Sequence, residues 1–110
     1  MILERRFGEA DRLLIERNSA SGLEALNFQA QETTKLLISL PRGNQRVTIL
    51  SLLSETLSRF ESALEEDKVK IITINGGRIG SLAPVVSAID QTKSKLSILR
   101  QEAEAERNRR

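Results

Sequence analysis

Apolar residues recur in alternating steps of three and four along most of the chain, the spacing that brings side chains onto one face of an α-helix. A first helix is predicted over 2–17, where Leu3, Phe7, Ala10 and Leu14 follow that rhythm. Gly8 lies inside it and weakens it by about 1 kcal/mol relative to alanine. The run Asn18, Ser19, Ala20, Ser21, Gly22 then reads as a break. A second helix is predicted over 22–40. Ser21 and Glu24 give the S-x-x-E capping box at its start, and Leu23, Leu26, Ala30, Thr33, Leu37 and Leu40 hold a heptad stripe. Pro41, Arg42, Gly43 and Asn44 stop it, since proline cannot continue the hydrogen-bond ladder and Gly-Asn favours a turn.

A third helix is predicted over 45–66, with Leu50, Leu53, Leu57, Phe60 and Leu64 on one seam. Glu55 precedes Arg59 by four, the favoured ion-pair order on an exposed helix face. Residues 69–74 read Val-Lys-Ile-Ile-Thr-Ile, a β-branched run that favours a strand. Asn75-Gly76 follows, a strong hairpin-turn signal, and Gly77, Arg78 and Ile79 make a short return. A short β element is therefore expected over 69–79, paired within the chain or with a copy of itself, because a lone strand leaves backbone groups unpaired. The last helix is predicted over 82–106, with Ser81 as N-cap, Pro84 in the first turn, and Val85, Ile89, Thr92, Leu96, Leu99 and Ala103 on its stripe. Residues 107–110 should fray.

The expected fold is thus a single, mainly all-α domain over 1–110: an antiparallel helical hairpin or bundle with coiled-coil-like heptad seams, plus one short β element. Helices two and three should fold back on each other, given so short a link. The core is aliphatic. Three Phe are its only aromatic residues, with no Trp or Tyr. A thin layer of narrow stripes favours completion by a second chain. The expected partner or oligomer seam is accordingly Leu23, Leu26, Leu37, Leu40, Leu50, Leu53, Leu57, Phe60, Leu64, Val85, Ile89, Leu96 and Leu99, meeting a copy of this chain, another protein, or both.

Composition argues against catalysis. No His removes the usual general base at neutral pH, and the absence of Cys and Tyr removes two further reactive groups. No cofactor is expected. Glu65, Glu66 and Asp67 could in principle hold a divalent cation, but adjacent helical residues point to different sides and no oxygen-rich loop follows, so a polar helix end is the simpler reading. The glycine-rich stretch offers a weak anion loop in Gly76, Gly77, Arg78, Gly80 and Ser81, ahead of a helix N-terminus. It matches neither G-x-G-x-x-G nor a G-K-[ST] pair. Its G-x-x-G at 77–80 is the loop type with which KH modules clamp nucleic acid, but KH needs surrounding elements absent here.

Charge changes the picture little. The net +2 comes from 17 basic and 15 acidic residues mixed along the chain, where a dedicated nucleic-acid binder concentrates its positive charge. Arg107, Arg109 and Arg110 form a basic tip diluted by Asp90, Glu102, Glu104 and Glu106. No window approaches the roughly 18 apolar residues of a membrane span. Met1, Ile2 and Leu3 are followed at once by Glu4, Arg5 and Arg6, so no secretory signal is read, and the cytoplasm, or the interior of a virion or organelle, is the expected location.

Three functional readings follow. The leading one is a non-enzymatic interaction subunit, an adaptor or oligomerisation protein. A second is a small helical chaperone. Two long helices joined by a short β element resemble prefoldin-type subunits in architecture alone, and the break at Pro41 departs from that pattern. The third is a nucleic-acid-associated protein using the glycine loop and basic tip, against which the absence of base-stacking aromatics near that loop counts.

Overall fold

The computed structural model describes residues 8–74 and 82–109 of the 110. Among the described residues it holds four helices: α1 (Glu9–Arg17), α2 (Ala20–Ile38), α3 (Asn44–Ile74) and α4 (Ala83–Asn108). The molecule is a rod of 58 × 21 × 19 Å. A helix with its side chains is about 10–12 Å across, so this cross-section fits three helices in a triangle rather than a flat row.

The spine is the antiparallel pair α3–α4. Leu50, Leu57, Leu64 and Ile71 recur every seven residues on α3, Ile89, Leu96 and Ala103 do so on α4, and all are buried. Coiled-coil seams have this spacing because two helical turns return a side chain nearly to its starting direction. Ion pairs fix the register along one margin. Glu61 meets Arg100, Glu65 meets Lys93 and Lys68 meets Asp90, rising along α3 as they descend α4.

The helices α1 and α2 form the third member, broken once. Asn18 is 1% exposed, and its amide donates to the Leu14 carbonyl at 2.9 Å and to Asp67 Oδ2 at 3.1 Å. Arg17 grips the same Asp67 carboxylate at 2.9 and 3.0 Å. This elbow lets α2 begin with only two residues, Asn18 and Ser19, between it and α1. The predicted cap is therefore corrected: Ser19, not Ser21, is the N-cap, its hydroxyl accepting from the Gly22 N–H at 3.4 Å. At the other end, α2 stops at Ile38 and the chain turns through 39–43. Gly43 has φ 155°, a conformation that side-chain-bearing residues rarely adopt.

Arg46 closes that end of the bundle. Its guanidinium is buried and donates to the Ile38 carbonyl at 3.1 Å, the Glu106 carbonyl at 2.8 Å and Glu106 Oε2 at 2.9 Å. Two parallel helix C-termini, α2 and α4, thus converge on one cation, which satisfies their orphan carbonyls and opposes their dipoles.

The expected β element is not found. Residues 69–74 are the last turns of α3, which runs eight residues past its predicted end at Glu66, and no described residue is a strand. Residues 75–79 lie outside the described residues, as does the predicted cap Ser81. The physical reason is burial. Ile71 falls seven residues after Leu64, at the next seam position, and is fully buried, while Ile72 and Ile74 pack at the core's edge. Helix propensity penalises a β-branched residue by only a few tenths of a kcal/mol, far less than burying an isoleucine returns. Without a strand, the architectural likeness to prefoldin-type subunits loses its β element. The helix α4 starts with Pro84 in its first turn and continues to Asn108, two residues past the predicted end.

This arrangement predicts opposite outcomes at two neighbouring positions in chemical denaturation. Ile71→Ala should cost about 2–5 kcal/mol, the usual cost of truncating a buried isoleucine. Val69→Ala, at a position 54% exposed, should be neutral or slightly stabilising, because alanine is the better helix former. A marked loss on Val69→Ala would indicate a strand.

Candidate functional site

Most of the predicted seam is interior to the chain. Leu23, Leu50, Leu53, Leu57, Leu64, Ile89, Leu96 and Leu99 are buried, and Leu26, Leu37, Leu40 and Val85 are partly buried. Phe60 is 41% exposed. The anion-loop residues Gly76, Gly77, Arg78, Gly80 and Ser81 lie outside the described residues.

The carboxylates at 65–67 diverge. Glu65 accepts from Lys93 at 2.7 Å, Asp67 serves the elbow, and Glu66 points to solvent. Among the described residues no group of three or more acidic side chains is placed to share a metal ion. The Lys93 ammonium, by hydrogen bond and charge, holds the Glu65 carboxyl below its ordinary value. Its contribution to stability is therefore present above the ordinary glutamate pKa and is lost as pH falls through the lowered one. Asp90 raises Lys68 and Glu61 raises Arg100, so at the alkaline end the stability these cations contribute is lost only as the pH climbs through the raised values. At the basic tip, Arg109 is paired with Glu106 at 3.0 Å.

Apart from Phe60, the apolar side chains left on the surface lie off the predicted stripes. Phe28 is 63% exposed and Ile98 56%, and Leu36, Leu52, Leu13 and Val47 are also exposed. Sequence reasoning passed over them because Phe28 and Ile98 sit outside the heptad positions.

Ile98 belongs to a groove of about 460 Å³ between α2 and α4, lined by Gln31, Thr34, Lys35 and Ile38 on one bank and Lys95, Ile98, Leu99 and Glu102 on the other. The inward face of α2 explains it. Where α3 offers leucine, α2 offers Leu23, Asn27, Ala30 and Thr34. Small side chains let α2 approach α4 closely, and the outward edge of that contact is left as an open groove. Asn27 Oδ1 and Thr34 Oγ1 are buried without hydrogen-bond partners.

The groove also differs in charge from the opposite margin. There, Lys68, Lys93 and Arg100 are all committed to carboxylates. The ammonium groups of Lys35 and Lys95 have no ion-pair or hydrogen-bond partner among the described residues. A second hollow, at the elbow, is lined by Leu23, Leu26, Phe60 and Leu64 and bordered by the Arg17–Asp67 pair. Of its charged groups, Arg17 and Asp67 hold α1 and α2 on α3, while Glu66 and Lys70 carry no ion pair among the described residues.

In comparisons with known protein families, curated proteins and solved structures, the chain matches none. No helix of the described residues is long and apolar enough to cross a membrane.

The unpartnered hydroxyl makes a sign prediction. Thr34 is 1% exposed, and Thr34→Val keeps its shape while removing a buried oxygen that bonds to nothing. Its thermal or denaturant midpoint should rise, by about 1 kcal/mol in free energy. A drop would mean that the hydroxyl is hydrogen-bonded.

Proposed function

We propose that this chain is a non-enzymatic helical interaction module that binds another protein through the groove between α2 and α4. The observation that carries the reading is the pairing of an exposed apolar residue, Ile98, with unengaged cations, Lys35 and Lys95, on a groove whose floor is aliphatic. Solvent-exposed isoleucine gains by burial, and a groove between two parallel helices is a shape that a third element can fill. The seams themselves do not need that partner, since they close on each other within the chain. Catalysis finds no support in the groove. Its titratable groups are two lysines and one glutamate, with no nucleophile and base brought together. A nucleic-acid reading finds little, because many of the arginines and lysines are tied to carboxylates.

Site-specific photo-crosslinking in the producing cell tests the proposal. A crosslinker at Ile98 should give one discrete protein adduct in high yield. The same group at Ser62, an exposed polar position on α3, should give none. Equal adducts at both positions, or none at either, would contradict a binding role for the groove.

A further inference from the structure

We infer that the occupant of the α2–α4 groove is an amphipathic helix with acidic residues along the margins of its apolar stripe. The inference rests on the groove reading above and adds the chemistry of the partner. Each bank is two helical turns long, from Gln31 to Ile38 and from Lys95 to Glu102, and α2 and α4 run parallel. Two turns cover about 10 Å, enough for a helix to seat successive apolar anchors at i, i+3 or i+4 and i+7. The apolar floor, Ile38, Ile98 and Leu99, takes those anchors. A helix lying there becomes the fourth of the bundle and covers the exposed Ile98.

The charges select the sign of the partner. Lys35 stands on one bank and Lys95 on the other, and neither is engaged. Along the α3–α4 margin the cations meet a carboxylate on the neighbouring helix, as Glu65–Lys93, Lys68–Asp90 and Glu61–Arg100 do. The groove presents half of that pattern. A lysine stem can lie along an apolar floor while its ammonium reaches a carboxylate at the edge, so an incoming helix with glutamates beside its leucines completes the ladder. Glu102 at the far end of the α4 bank leaves the remainder of the groove electropositive.

Three labelled synthetic peptides test this on the full chain. Each carries the same leucine stripe over three heptads, flanked by Glu, by Gln or by Lys, and fluorescence anisotropy reads the affinity. The Glu peptide should bind about three- to tenfold tighter than the Gln peptide at low salt, as expected of two surface ion pairs. That advantage should shrink at high salt and reverse in the double variant Lys35→Glu, Lys95→Glu. Ile98→Glu should abolish binding of all three, with an unchanged thermal melt, since Ile98 is exposed. Equal binding of the three peptides, lost on Ile98→Glu, would overturn the acidic partner and leave the groove as a helix-binding site. No binding by any peptide would overturn both readings. A concentration-dependent dimer removed by Ile98→Glu would give the groove to a second copy. Binding to phosphatidylserine vesicles removed by the same change would give it to a lipid surface. Either result overturns the inference.

Discussion

The aliphatic seam between α3 and α4 is the constraint on which the rest of the structure depends. Leu50, Leu57, Leu64 and Ile71 set a seven-residue repeat on one helix, answered by Ile89, Leu96 and Ala103 on the other. Such a seam tolerates little slippage, because a shift by one residue would turn leucines outward. The ion pairs along its margin are mostly partly exposed and individually worth little in stability, but they agree on one register. Burial at this seam also decides the fate of 69–74, where a sequence with strand preference is drawn into a helix.

The helix α2 is held differently. It is tied at its two ends, by Asp67 at the elbow and by Arg46 at the α2 and α4 C-termini, and between them it presents Asn27, Ala30 and Thr34 to its neighbours. Those residues leave unpartnered buried oxygens and an open groove. Under the proposed reading, stability and function are divided accordingly: the α3–α4 hairpin supplies the rigid frame, and the groove beside α2 supplies the surface on which a partner has something to gain.

Much of the frame was legible in the sequence. The leucine periodicity, the Pro41 and Gly43 stop, and Pro84 in the first turn of α4 each carry their structural cause in the residue type. Ile71 was misread because propensity was weighed over six residues, whereas the repeat from Leu50 through Leu64 already pointed to it. The cap at Ser19 was missed because Ser21 offers the same chemistry two residues later. What selects Ser19 is Asn18, through contacts with Asp67, some fifty positions along the chain. The groove was not legible. A stripe pattern says which side chains face inward, but not that the α2–α4 contact would leave an open groove, nor that Lys35 and Lys95 would be left without carboxylates.

Native-state amide hydrogen exchange, read residue by residue, tests this division most directly. Amides from 50 to 72 and from 89 to 103 should exchange only through global unfolding, with those at 70–72 protected as helix. The amides of α2 should exchange through a smaller, separate opening. Equal protection across α2, α3 and α4, or fast exchange at 70–72, would contradict the account.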